Sequence, residues 1–271
     1  MNCPICHAEV ENSPIAELHD AFYHANGGML LYYFCYQCEA VFHDEPYSEE
    51  YYREQYRTDV QGGTPGVLYK AVELQKKRAE NLTPFLKMII RDFTPRLAFD
   101  MGASTGVLVK AMNDMGVNAC GIEIDEPYSA YAHKTYGYTF TSLDEIGTPA
   151  ADLFTCMQTL EHLADPVTSL KKLRAAASDK ACLFFEVPNF KTSPLALSYP
   201  HRFAYTENSL YNVLTSAGWY PIWIVSHWGI HANYRQPTNL LGLALSIPVS
   251  RFEYSMQSAR LGQMMSEKGK E

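Results

Sequence analysis

Leu97-Ala98-Phe99-Asp100-Met101-Gly102-Ala103-Ser104-Thr105-Gly106 is the stretch on which the fold turns. An apolar run of strand length, residues 96–101, passes directly into a turn of small residues at 102, 104 and 106. Residues 107–115 then repeat apolar side chains at helical spacing, and residues 118–124 form a second strand-like run. Strand, glycine turn, helix and strand make a βαβ unit, the building block of a parallel sheet. The turn is not the dinucleotide fingerprint Gly-x-Gly-x-x-Gly, whose last glycine falls one residue later, and it lacks the lysine of a P-loop. Glu123 lies 17 residues beyond Gly106, where the second strand ends. A carboxylate there can accept hydrogen bonds from both hydroxyls of a ribose lying over the turn, so ribose binding is the first functional expectation.

The same alternation continues outward. Helices are expected at 126–136, 166–177 and 206–217, and strands at 152–157, 181–187 and 220–225. Upstream, Leu68, Val72, Ala79, Leu82, Leu86 and Ile89 recur at helical spacing, with Thr83-Pro84 reading as the start of a second helix. The fold expectation is α/β: a doubly wound, mostly parallel seven-stranded sheet, Rossmann-like, with helices on both faces. The tail from 251 to 271 reads as a short helix whose Phe252, Met256, Met264 and Met265 pack inward or against a second subunit.

Composition narrows the function. The 271 residues carry 30 Asp+Glu against 22 Lys+Arg, a net charge of -8, which argues against gripping nucleic acid through bulk charge. No apolar run reaches the roughly 20 residues that span a bilayer, and the first residues lack a basic stretch followed by an apolar one. A cytoplasmic protein is expected.

Of seven cysteines, Cys120, Cys156 and Cys182 lie singly in apolar runs and read as small buried side chains. The other four form two Cys-x-x-Cys pairs, Cys3-Cys6 and Cys35-Cys38, separated by 28 residues. Two such pairs complete a tetrahedron around zinc, and four sulfurs leave no open position for catalysis. Strand-like residues 22–24 and 30–34 around Gly27-Gly28 suggest a zinc-ribbon-like module, with His7 and His43 as bystanders. The expected organisation is a zinc-binding module over 1–45, a helical linker over 46–66, the main domain over 67–250 and a tail over 251–271. In the linker, Ser48 reads as a helix N-cap, Tyr52 and Tyr56 share a face, and residues 61–66 form a glycine-rich hinge.

The turn at 100–106, Glu123, the segment Asp152 to Leu163 with Asp165-Pro166, and Glu186-Val187-Pro188-Asn189 together resemble class I S-adenosylmethionine-dependent methyltransferases, over about residues 67–226. Ser104 stands where that family usually has glycine. With the two cysteine pairs, the tyrosine-rich linker and His201-Arg202-Phe203-Ala204-Tyr205-Thr206, the whole chain resembles bacterial sugar and polysaccharide-biosynthesis methyltransferases with an amino-terminal zinc-binding region. The resemblance implies that Gly102, Ala103, Ser104 and Gly106 line the methionine and ribose portions of the donor. It implies that Asp100 supports the turn, Glu123 holds the ribose, Ser142 and Leu143 flank the adenine, and Met157 and Gln158 sit beside the sulfonium. S-adenosylmethionine and a structural zinc are the implied cofactors, and a small sugar-like acceptor the implied partner.

The sulfonium methyl is already electrophilic, so the protein has to align a nucleophile behind it and, for a hydroxyl or carbon acid, supply a base. His162, Glu186 and His201 are the candidates, His201 being preferred because it follows the fifth strand at the edge where such sheets bind ligands. Asn189, Arg202 and Tyr205 are candidate acceptor contacts. Residues 227–235 offer Trp228, Tyr234 and Arg235 for a sugar diphosphate, or else form a surface loop. His227 and His231 have no third ligand nearby, so no second metal is expected. O- and C-methylation both stay open, and the alternatives are an RNA base methyltransferase or a non-catalytic binding protein on the same fold.

Overall fold

The computed structural model describes residues 1–19, 29–43, 66–193, 195–198, 201–228 and 237–268. Three short strands come first, β1 (Ala16–His19), β2 (Met29–Phe34) and β3 (Val41–His43), followed by the long helix α1 (Gly66–Phe93). Then alternate β4 (Leu97–Met101), α2 (Val107–Asp114), β5 (Asn118–Ile122), α3 (Glu126–Tyr136), β6 (Ala151–Met157), α4 (Pro166–Ala175) and β7 (Ala177–Pro188). The chain closes with β8 (Phe203–Ala204), α5 (Glu207–Ser216), β9 (Tyr220–His227), β10 (Asn239–Leu245) and α6 (Arg251–Lys268).

The main sheet runs β5-β4-β6-β7-β10-β9. β4 pairs in parallel with β5 and β6, and β6 with β7, whereas β10 is antiparallel to both neighbours. The sheet is thus mixed and has six strands among the described residues, not seven. Where the seventh was expected beyond β5, Thr141 makes only an isolated parallel bridge to Ile122. The extension stops there because the amide and hydroxyl of Ser142 both turn to the Glu145 carboxylate, at 3.2 and 2.8 Å.

Alternation along the strands fills both faces. Leu153, Phe184, Trp223 and Leu241 pack with Leu82, Leu86 and Ile89 of α1 and with Val109 and Met112 of α2. Phe99, Phe154, Phe185 and Trp219 pack on the other face with Leu170, Leu173, Leu210 and Val213 of α4 and α5. Trp219, fully buried, donates its indole hydrogen to the Leu170 carbonyl at 3.0 Å. Such a buried polar tip needs a partner.

Three further readings change. α1 runs unbroken through Pro84, because the apolar stripe on either side of the proline is buried in one core and outweighs the lost hydrogen bond. β9 extends to His227 instead of ending at 225. α6 forms as expected, yet Met256 is exposed and Tyr254 is the buried anchor; the side chains of Phe252, Met264 and Met265 lie outside the described residues. So do residues 22–24, Gly27-Gly28, Ser48, Tyr52, Tyr56, residues 61–65, His231, Tyr234 and Arg235, on which other expectations rested. No helix among the described residues is long and apolar enough to cross a membrane.

The amino-terminal strands do not stand apart. A second sheet runs β1-β2-β3-β8, with β3 antiparallel to β8 through Val41–Ala204 and Phe42–Phe203. Cys3, Tyr33 and Phe42 share a continuous apolar core with Phe154 and Trp219.

Candidate functional site

β4 delivers Asp100 and the glycine turn to the carboxyl edge of the main sheet. Gly102 has φ 75°, and a Cβ there would collide with the Thr159 hydroxyl, so the position accepts no side chain. Gly106, at φ 79°, begins α2, and a Cβ on it would stand 2.9 Å from the Phe140 ring. The amides of Gly102 and Ala103 both donate to the Ile122 carbonyl, at 2.9 and 3.1 Å, locking the turn to the end of β5. Glu123 follows at once. Its Oε2 accepts from the Ser104 amide at 2.7 Å, and its Oε1 from the amides of Ile124 and Asp125, each at 2.8 Å. Burial pushes this carboxyl up and the three amide hydrogens oppose it. A carboxylate offers about four acceptor positions, so Oε2 keeps one for a ligand over the turn. Ser142 and Leu143 follow the Thr141 bridge beside Glu123, with Ser142 already engaged by Glu145.

Asp100 is buried, accepts from the Thr155 hydroxyl at 2.6 Å, and is pushed up to about 7 by burial. It supports the turn from beneath. Thr159, which the sequence reading passed over, donates to the carbonyls of Met101 or Met157, each at 3.2 Å, and closes the gap between β4 and β6. Met157 is buried at the end of β6, and Gln158 behind it is held at φ 54°. A non-glycine residue in that region costs strain that surrounding contacts must hold, and such residues cluster at functional edges. Here the Gln158 amide donates to the Glu186 carbonyl at 2.7 Å and its side chain to Glu186 Oε1 at 3.1 Å. Arg78 and His227 converge on the same carboxylate. Neither was expected: Arg78 lies 108 residues from Glu186 in sequence, and His227 had been placed in a loop.

A second cluster lies on the opposite face, after β6 and before β8. The rings of His162 and His201 meet edge to face at 4.7 Å, and Glu161 and both histidines bring ligand atoms within 4.8 Å of one another. Burial lowers His201 to about 4, so it is neutral at physiological pH and a weak base. Glu161 is fully buried, neither of its oxygens has a hydrogen-bond partner among the described residues, and burial raises it to about 8. Tyr205 is also turned inward, its hydroxyl donating to the Leu160 carbonyl at 3.2 Å, so it shapes this loop and does not face a ligand. Asn189 is spent largely on its own turn, its side-chain oxygen accepting from the Lys191 amide at 3.0 Å. The Arg202 carbonyl accepts from the His43 amide at 3.2 Å.

Glu161 gives a pH prediction. The folded chain keeps a proton on it up to about 8, whereas the ordinary value is 4.5. Unfolding therefore releases a proton in that window, and the contribution to stability, complete below it, is lost as pH rises through it. Asp100, raised from 3.8 to about 7, has the same sign. The thermal midpoint should fall between about pH 5 and 8. Glu161→Gln, which imitates the protonated acid, should flatten that fall and stabilise the chain near pH 8 by at least about 1.4 kcal/mol, one pKa unit's worth. Parallel melts of both proteins check this, and identical pH dependence would contradict it.

Cys3, Cys6, Cys35 and Cys38 bring their sulfurs within 4.8 Å of one another, with Cys3–Cys38 at 3.6 Å and Cys6–Cys35 at 3.5 Å. Edges of about 3.8 Å follow for a tetrahedron of 2.3 Å zinc–sulfur bonds, so the cluster fits that ion. The two knuckles repeat one geometry. The amides of Cys3 and Cys35 reach the carbonyls of Ala8 and Ala40, those of His7 and Glu39 return to Cys3 and Cys35, and His7 and Glu39 both take positive φ. The bond from Cys38 pulls the Cys3 thiol down to about 5 and pushes Cys38 up.

Residues 74–224 match the family described as Methyltransferase domain. The chain belongs to that family. This methyltransferase domain is 28% identical over 104 residues to the ubiquinone biosynthesis O-methyltransferase of Actinobacillus pleuropneumoniae, a match covering 33% of this chain and 44% of that protein. The match thus spans under half of the curated relative's length. Among solved structures, an S-adenosylmethionine-dependent methyltransferase from Archaeoglobus fulgidus aligns with a TM-score of 0.52 at 16% identity, covering 65% of this chain and 99% of that one. Magnesium protoporphyrin IX methyltransferase from Synechocystis PCC 6803, solved with bound S-adenosylhomocysteine, aligns at 0.53 and 18% identity, covering 72% and 96%. These likenesses establish the Rossmann-like methyltransferase fold.

Proposed function

We propose that this methyltransferase domain transfers a methyl group from S-adenosylmethionine to a hydroxyl or acidic carbon of a small sugar-like acceptor, such as a nucleotide sugar. The observation that carries the reading is the glycine turn with Glu123 pinned against it by the Ser104 amide at 2.7 Å. Gly102, Ala103, Ser104 and Gly106 would hold the methionine and ribose portions of the donor, with Asp100 beneath. Glu123 would take a ribose hydroxyl on its remaining acceptor position, Ser142 and Leu143 would flank the adenine, and Met157 and Gln158 would border the reacting sulfur. When bound, the donor supplies an electrophilic methyl group. The residues of the chain orient it, exclude water and accept the acceptor's proton. His162, His201 and Glu186 are the sequence-based choices for contact with the acceptor or its proton, with Asn189 and Arg202 bordering it. Zinc at the four cysteines would be structural, since four sulfurs leave it no open position. The net charge of -8 favours this reading over an RNA acceptor.

Two measurements test the proposal. Calorimetry with S-adenosylhomocysteine should show saturable binding at one site per chain. Methyl-tritiated S-adenosylmethionine, supplied with nucleotide sugars or fractionated small molecules from a cell extract, should label one fraction in an enzyme-dependent way. Absence of donor binding overturns the reading; label entering only RNA replaces the acceptor class.

A further inference from the structure

At the carboxyl edge of β7 and β9, one cluster answers the question of where the acceptor's proton goes. Glu186, near the end of β7, has a side chain 1% exposed. His227 is the last residue of β9. Both strands are antiparallel to β10, so they run in the same direction and end at the same edge. Glu186 Oε2 stands 3.2 Å from His227 Nδ1. Its Oε1 accepts from Gln158 at 3.1 Å and lies 3.7 Å from Arg78 Nε, a buried nitrogen that makes no hydrogen bond among the described residues. The Phe85 ring meets the imidazole edge to face at 5.7 Å and fixes its plane.

We propose that His227, oriented by Glu186, is the general base that takes the proton from the acceptor during methyl transfer. The role rests on the donor assignment made above. A carboxylate only accepts, so Nδ1 carries the hydrogen and Nε2 is left with its lone pair. Nucleophile-activating histidines are held in this way, with a carboxylate fixing the tautomer and stabilising the imidazolium as it forms. Position supports the assignment. The carboxylate that holds His227 also holds Gln158, and Gln158 adjoins Thr159, which touches Gly102. Glycine turn, β6 end and His227 therefore follow one edge.

The step balances as follows. An acceptor oxygen forms the new carbon–oxygen bond to the methyl group, the methyl–sulfur bond breaks, and its electron pair stays on sulfur. The hydroxyl proton passes to His227 Nε2, while Nδ1–H keeps its bond to Glu186. The imidazolium later gives the proton to water. His201 is the weaker candidate for this step, because burial lowers it to about 4 and its Nδ1 faces only the Ser198 hydroxyl, at 3.4 Å.

The test uses the full chain in two arms. First, nitrogen-15 histidine spectra of the protein saturated with S-adenosylhomocysteine should show His227 as the Nδ1–H tautomer near neutral pH. An Nε2–H tautomer overturns the proposal whatever the acceptor is. Second, His227→Gln should lower tritiated methyl transfer to nucleotide sugars or the labelled extract fraction by about 100-fold or more, with the dissociation constant for S-adenosylhomocysteine within about twofold of wild type. Added imidazole should restore part of the rate in His227→Ala, and a purely structural role would not respond to it. Transfer by His227→Gln at more than a third of the wild-type rate, or rescue confined to His201→Ala, overturns the proposal. A wild-type chain that binds the donor but labels nothing counts against the acceptor class proposed above, and the tautomer arm still decides for His227.

Discussion

Replacing Glu123 with alanine is expected to weaken binding of S-adenosylhomocysteine by about 100-fold or more, measured by calorimetry. Hydrogen bonds to a charged acceptor are each worth about 1.5–3 kcal/mol, and 1.4 kcal/mol is a factor of ten. The loss exceeds one ligand contact because the Glu123 side chain is also the common acceptor for the amides of Ser104, Ile124 and Asp125. Without it, nothing ties the Ser104 amide to the end of β5, and the turn loses the shape that a donor would recognise. The substituted chain should still fold. Glu123 is only partly buried, so water can reach the three amides, and the paired strands β4, β5 and β6 do not depend on its side chain. Glu123→Gln separates charge from shape: it keeps one carbonyl acceptor, turns an N–H₂ toward amides that need acceptors, and should lie between wild type and alanine. A dissociation constant unchanged in Glu123→Ala would refute the ribose assignment, while a melt showing an unfolded variant would leave Glu123→Gln to decide.

The parts of this site that were legible in the sequence are those encoded locally. Asp100, Gly102 and Gly106 sit in one turn between an apolar strand and an amphipathic helix, and each residue type there has a reason visible from its neighbours. The two Cys-x-x-Cys pairs were equally plain, because a knuckle is a five-residue object. What escaped the sequence depends on pairings between distant segments. β8 is two residues long and exists only because β3 lies beside it. Arg78 reaches Glu186 from a helix before the first strand of the main sheet, and no periodicity marks one arginine of that helix as inward. His227 was assigned to a loop because its neighbours Trp228 and Gly229 end the apolar run; pairing with Asn239 of β10 carries the strand two residues further than the pattern does. The seventh strand failed for the converse reason. Residues 138–141 are β-prone, but the turn at Ser142 and Glu145 cuts the ladder to one bridge. Tyr205 reads as a polar aromatic suited to a ligand, and only its bond to the Leu160 carbonyl shows the hydroxyl to be committed inward.

Stripping metal from the cysteine cluster should have the second large effect, and its reach should extend to the loop before β8. Metal analysis of the purified chain should give one zinc, and Cys35→Ser should lose it. Apparent binding energies of structural zinc sites are about 10–16 kcal/mol, enough to decide whether so small a module holds its shape. Three bonds carry the consequence onward: the Tyr32 hydroxyl donates to the His201 carbonyl at 3.4 Å, the His43 amide to the Arg202 carbonyl at 3.2 Å, and the Asn212 side chain to the Cys38 carbonyl at 3.2 Å. Chelation or Cys35→Ser should therefore raise hydrogen exchange at Val41–His43 and Phe203–Ala204 together, while β4 and β6 keep their protection. Binding of S-adenosylhomocysteine should persist within a fewfold, since Gly102 and Glu123 share no hydrogen bond with the module among the described residues. Methyl transfer should fall more than donor binding, because the segment bearing His201 loses its brace. A metal-free Cys35→Ser chain with wild-type exchange at both β3 and β8 would contradict the structural role of the cluster, and exchange rising at β3 alone would show that β8 holds without it.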